Sequence, residues 1–241
     1  MRFSLGKVCK YLPLVTVILI VLNVLSIYLR ADYNFFRFTP LFTVVVYLIY
    51  YILRASHIRY LIIAILIMLV LREISVFYFN KSSGQIAYIL LGCVSYGLIC
   101  IKRLDLFSTF IKDKAAILYT FIFIALNVFI LNELISQVKE SYQGSFQSGF
   151  VFLFGIIITF LGATAILYNR VANNNRSLAF LFFVFCFIFS DVSSLLAYYF
   201  GINHFYYLYH IFFVFGLTFF LYTVLDNSSQ EEEQGELTNY S

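Results

Sequence analysis

Tryptophan is absent from the 241 residues, so any aromatic belt at a membrane surface must be built from the 20 tyrosines. Charge is scarce too: 12% of residues are charged against 62% hydrophobic, and mean hydropathy is +0.91. Such a surface cannot be kept in water, which excludes a soluble protein. Long polar stretches are missing, so nothing between or beyond the apolar runs is large enough to fold as a soluble domain. No Cys-x-x-Cys pair occurs among Cys9, Cys93, Cys100 and Cys186, which read as small apolar core residues and neither a disulfide framework nor a metal site. The Ser-His-Asp order, the Gly-x-Ser-x-Gly elbow and His-Glu-x-x-His are absent as well. Acyl hydrolysis and zinc chemistry therefore lack support, and neither metal nor cofactor is expected. Paired sequence halves, which a transporter of repeat design would show, are not found.

What is present is a succession of apolar runs long enough to cross a bilayer. Residues 1–10 form a short basic lead (Arg2, Lys7, Lys10), and 11–29 is a first span, retained because no Ala-x-Ala-like exit follows it. A shorter second span, 40–53, is entered through Thr39-Pro40, proline being tolerated at a helix start. Further spans are expected over 58–79, 85–101, 115–138 and 146–168, then one ending near Phe200, and an eighth over 204–225. Gly155, Thr159 and Ala163 in the sixth make a small-residue stripe of the kind that packs helices closely. The tail 226–241 is acidic, lacks apolar periodicity and is expected to be disordered. The fold expected is thus all-α: a polytopic bundle of about eight transmembrane helices over 11–225.

The net charge of +4 looks like a nucleic-acid signal only until the cations are placed. Arg2, Lys7, Lys10, Arg54, Arg59, Lys102, Arg103, Lys112, Lys114, Arg170 and Arg176 fall on one side of the alternating spans. Arg30, Arg37, Lys81 and Lys139 fall on the other. The richer side is the cytoplasmic one, so both termini are expected inside, in the cell membrane, with lipids as partners and no nucleic acid.

Against this background the ionisable residues within spans carry the information. A charged side chain at bilayer depth costs roughly 2.5–3.5 kcal/mol on insertion scales and normally faces a partner or a water-filled pocket. Asp191 is the focus, with Ser194 and Tyr198 following at helical spacing on one face. It either bonds a neighbouring helix or belongs to a site. Glu73, Glu133 and His210 fall in the same half of the bilayer as Asp191, as a pocket opening toward one leaflet requires. Glu133 equally reads as a helix end in contact with water, and His210 as a helix-to-helix hydrogen-bonder. Arg72 and Glu73 are adjacent and point about 100° apart, so each needs its own partner. Two arrangements are open: Glu73 toward Asp191 or His210 with Arg72 on another acid or out at the headgroups, or Arg72 bent back on Glu73 as an internal ion pair.

The basic start, Thr39-Pro40 opening a short second span, Arg72-Glu73 late in the third, and Ser190-Asp191-x-x-x-Leu195-Leu196-Ala197 in the seventh together resemble the YhhN-like membrane proteins. That family includes lysoplasmalogenases, which hydrolyse the vinyl-ether bond of lysoplasmalogen. The resemblance extends over most of 11–225. Where the family tends to carry Lys-Pro this chain has Thr39-Pro40, and Arg72-Glu73 stands where it has Gly-Asp; Ser190-Asp191 is intact. The resemblance implies Asp191 and Glu73 as a catalytic acid/base pair, with Ser190, Ser194, Tyr207, His210 and Arg72 binding a lysophospholipid substrate. The alternative is a lipid-binding or transport-like protein with a degenerate site.

Overall fold

The computed structural model describes residues 11–29, 33–55, 57–101 and 145–239, with isolated positions between 118 and 132. Among these residues every regular element is helical: α1 (Leu12–Tyr28), α2 (Tyr33–Arg54), α3 (Tyr60–Ser75) with a 3-10 turn (Val76–Tyr78), α4 (Ser82–Ile101), α5 (Ser145–Ala172), α6 (Asn175–Tyr199) and α7 (His204–Asn239). Six of them are long and apolar enough to cross a membrane, and α1 is a shorter apolar helix of 17 residues. The chain is therefore a helical integral membrane protein. The expected span 115–138, with Glu133, lies outside the continuously described residues.

Helix α2 corrects the expectation that Pro40 opens a span. The helix begins at Tyr33 and carries Pro40 inside it. Proline has no N–H for the carbonyl four residues back, which here belongs to Phe36. The Thr39 hydroxyl donates to that carbonyl instead, at 3.2 Å. Helix α6 starts as its sequence dictates: Asn174 accepts from the Ser177 amide at 2.8 Å and the Ser177 hydroxyl accepts from the Asn174 amide at 3.1 Å, a reciprocal cap. In α7 the helical backbone runs past Leu225 into the acidic tail, where composition leads one to expect no structure; glutamate has a high helix propensity.

The helices form a ring in chain order, each packed on the next and α7 closing back on α1, with α2 also reaching α7. Consecutive helices run antiparallel except at one place. Ile89 clusters with Val151, a Cβ on Gly92 would meet the Phe154 ring at 2.7 Å, and Cys100 pairs with Thr164. Residue numbers rise together on the two helices, so α4 and α5 are parallel. The α1–α2–α7 junction is stitched by buried polar side chains. Thr16 and Tyr47 meet Thr218 at 2.9 and 2.7 Å, and Asn23 donates to Thr43 at 2.9 Å. Such bonds join helices where hydrocarbon offers no hydrophobic drive to pack.

Candidate functional site

Helix α3 buries Ile62, Ile65, Leu66, Leu69, Arg72, Glu73 and Ser75. That spacing is one broad inner stripe, wide enough to carry two adjacent residues. Arg72 and Glu73 therefore both enter the bundle, and no room is left for Arg72 to reach a headgroup: it is fully buried. Its Nη2 donates to Asp191 Oδ1 and to the Tyr88 hydroxyl, and Nη1 donates to the Tyr96 hydroxyl at 2.7 Å. Tyr96 in turn donates to Asp191 Oδ2 at 2.5 Å. The guanidinium also lies 4.3 Å from the Tyr88 ring centroid, a cation–π placement. Arg72, the Tyr96 hydroxyl and the Asp191 carboxylate thus close a ring of hydrogen bonds between α3, α4 and α6, with the Tyr88 hydroxyl as a further acceptor, which is how a buried ion pair offsets its desolvation.

Parts of both expected arrangements are present: Arg72 bonds another acid, Asp191, and also pairs with Glu73, whose hydrogen bond goes elsewhere. The partner of Glu73 in that bond is neither Asp191 nor His210 but the Tyr209 hydroxyl, which donates to Oε2 at 3.1 Å. Its other oxygen stands 3.8 Å from Arg72 Nε, and neither of those two buried atoms has a hydrogen-bond partner. One guanidinium accordingly stands between two carboxyl groups, bonded to Asp191 and only near Glu73.

Asp191 alone of the two acids reaches open space. Together with Ser194 and Tyr198, one helical turn apart on the expected face, it lines a cavity of about 70 Å³ shared with Phe79, Tyr88, Tyr199 and Phe154. Phe79 lies in the turn at 79–81, and Tyr198 and Tyr199 sit just ahead of the one at 200–203, so the cavity lies at that end of the bundle. Its volume admits several water molecules.

The remaining expected residues lie elsewhere. Ser190 is buried and donates to the Tyr209 carbonyl at 3.2 Å, tying α6 to α7. His210 Nδ1 lies 2.7 Å from Asn23 Oδ1. Asn23 spends its amide hydrogens on the Leu19 carbonyl and Thr43, so its oxygen accepts and the histidine proton is on Nδ1. Nε2 is left buried without a partner. Tyr207 is half-buried and takes no part in the cluster. Tyr88, Tyr96 and Tyr209 are the residues that sequence reasoning passed over. The signal for two of them was there: Tyr88-x-x-x-Gly92-x-x-x-Tyr96 puts two hydroxyls on one face well inside a span, away from the interfacial belt.

Among the described residues no group of three or more His, Cys, Asp or Glu side chains is placed to hold a metal ion. No protein-family model matches the chain, and neither a curated protein nor a solved structure matches it.

Proposed function

We propose that the chain is an eight-span membrane hydrolase of the lysoplasmalogenase type, with both termini on the cytoplasmic side of the cell membrane. The span count draws support from the parallel run of α4 and α5, since two consecutive parallel helices need a return crossing between them. Orientation draws support from the described cations near the helix ends: Arg54, Arg59, Arg170 and Arg176 gather at one end, Arg37 and Lys81 at the other.

The observation that carries the activity is the convergence of Glu73 and Asp191 on one guanidinium, with Asp191 at a cavity wall. Vinyl-ether hydrolysis moves a proton to the alkene carbon and then adds water to the resulting oxocarbenium. The hemiacetal that forms splits into an aldehyde and the glycerol hydroxyl of the headgroup fragment. Asp191, with Arg72 and Tyr96 donating to it, is the carboxylate that steers the water. Glu73 is the proton donor, and because it lies behind Arg72, substrate entry has to move that side chain.

One observation favours a second reading. Arg72 holds Asp191 in a closed pair, which suits a lipid-binding protein without turnover. Purified protein incubated with lysoplasmalogen separates the two: released aldehyde is expected from the hydrolase, and lipid retained without aldehyde identifies the binder.

A further inference from the structure

Ser75, Ser95 and Thr164 spend their hydroxyl protons on helix carbonyls, at 2.6, 2.6 and 2.8 Å, and Tyr96 and Tyr209 spend theirs on Asp191 and Glu73. Two hydroxyls that line the cavity beside Asp191 behave otherwise. The buried Tyr88 accepts from Arg72 Nη2 and, among the described residues, donates to no acceptor. The half-buried Ser194, one turn after Asp191, makes no hydrogen bond to any of them. Both are brought to the same carboxylate. The Tyr88 hydroxyl and Asp191 Oδ1 accept from one guanidinium nitrogen, so they lie no more than about 6 Å apart, the length of two hydrogen bonds. Residues three apart on a helix have Cβ atoms about 5–6 Å apart, which puts Ser194 within reach of Asp191 through one intervening molecule. Oδ1 accepts from Arg72 and Oδ2 from Tyr96, and each keeps a second lone pair. A buried water makes about three hydrogen bonds to groups otherwise unsatisfied, and the space of about 70 Å³ holds one with room beside it.

We propose that Tyr88 and Ser194 hold one water molecule against Asp191, and that both are positioning residues for its attack. The proposal rests on the hydrolase reading only in making that water the nucleophile. Tyr88 and Tyr96 then divide the work on α4. Tyr96 gives its proton to Asp191 and fixes the carboxylate, whereas Arg72 occupies only the oxygen of Tyr88 and leaves its proton for the water. A water that accepts from Tyr88 on one lone pair presents the other to the substrate, while its protons go to Asp191 and to the Ser194 oxygen. In the attack the water oxygen bonds the oxocarbenium carbon, one water proton passes to Asp191, and the π electron pair of the carbon–oxygen bond returns to the ether oxygen, which gives the hemiacetal.

Crystals of the full chain grown in a lipid mesophase, at a resolution that shows ordered water, are expected to place one within about 3.2 Å of the Tyr88 hydroxyl, Ser194 Oγ and an Asp191 oxygen. No density there, or a water on Asp191 that does not touch Tyr88, overturns the proposal. The same residues are then tested in turnover of lysoplasmalogen. Tyr88→Phe keeps the ring that packs on Phe79 and under the Arg72 guanidinium, and Ser194→Ala removes no bond of the fold, so both variants are expected to fold. With KM unchanged, kcat is expected to fall about 10²-fold in Tyr88→Phe and about tenfold in Ser194→Ala, and the double variant to lose less than the product of the two, since both act on one water. Dilute methanol supplies a readout that a structural role does not move. Methanol adding to the oxocarbenium leaves a stable mixed acetal where water leaves aldehyde, and the acetal share is expected to rise in both variants as the water loses its hold. An unchanged acetal share with slower turnover, or a raised KM with kcat kept, overturns the positioning role. Absence of aldehyde from the parent protein removes the hydrolase reading, and the density alone then decides the water site.

Discussion

Arg72 on α3 and Asp191 on α6 are bonded to each other across the bundle interior, although their helices are not neighbours in the ring. The reach is supplied by the arginine side chain, and the space by α4, whose Tyr88 and Tyr96 hydroxyls accept from the two Nη atoms while Tyr96 donates to the second Asp191 oxygen. Breaking a buried pair from one side leaves the other charge in hydrocarbon, whereas removing both leaves only a packing change.

The first prediction follows from that asymmetry. Asp191→Asn and Arg72→Met each lower stability by about 3–5 kcal/mol, and Arg72→Met combined with Asp191→Leu recovers most of the loss. Unfolding of the detergent-solubilised variants by heat or SDS measures it. Additive losses in the double variant would show that the two side chains are not coupled. Considered without its partner, Asp191 is a charge whose removal from hydrocarbon relieves the bundle; Arg72 reverses that sign. For the same reason Arg72→Gly, the residue of the resembling family, destabilises here by leaving Asp191 and Glu73 without their cation.

The bundle was legible because hydropathy records what each run must face, and the shared face of Asp191, Ser194 and Tyr198 was legible from helical period alone. Partners were not. Whether Glu73 meets Asp191, His210 or Tyr209 depends on how α7 is rotated against α3, and neither helix's own periodicity specifies that. Pro40 misled because its usual place at a helix start competes with a local remedy, the Thr39 hydroxyl on the Phe36 carbonyl, which lets the helix run through it. Tyr96 was hidden by the general tendency of tyrosine to sit at membrane interfaces.

Two glycines of α4 are expected to respond in opposite ways to the same change. A Cβ on Gly84 would lie 2.1 Å from the Tyr78 carbonyl oxygen, a backbone atom that cannot step aside, whereas nothing stands within 4 Å of one on Gly97. Gly84→Ala therefore disrupts the entry to α4 and lowers yield and thermal stability. Gly97→Ala is neutral or stabilising by up to about 1 kcal/mol through helix propensity. Comparable thermal midpoints for the two variants would contradict the close approach at Gly84.

Parallel α4 and α5 make a prediction about sidedness. With the native cysteines replaced, single cysteines at Ser82 and Ser145 are expected to react with a membrane-impermeant thiol reagent from one face. Those at Ile101 and Ala172 should react from the other. Labelling of Ile101 and Ser145 from the same face would remove the extra crossing, and with it the eight-span count.

The last prediction separates the polar residues that serve the site from those that serve the fold. Tyr209 donates the one hydrogen bond that Glu73 receives, so Tyr209→Phe frees the proposed proton donor from its fixed position. Turnover of lysoplasmalogen, normalised to folded protein, should fall, and in Asp191→Asn it should fall by about 10²–10⁴-fold, the usual worth of a positioned acid or base. His210 faces Asn23 on the opposite side of α7's inner surface. Glutamine there keeps a donor for the Asn23 oxygen, so His210→Gln costs stability through lost packing against Phe36 and leaves turnover per folded molecule unchanged. A His210→Gln enzyme as slow as Asp191→Asn would place the histidine in the chemistry, while full activity in Tyr209→Phe would show that Glu73 needs no fixed position and is not the proton donor.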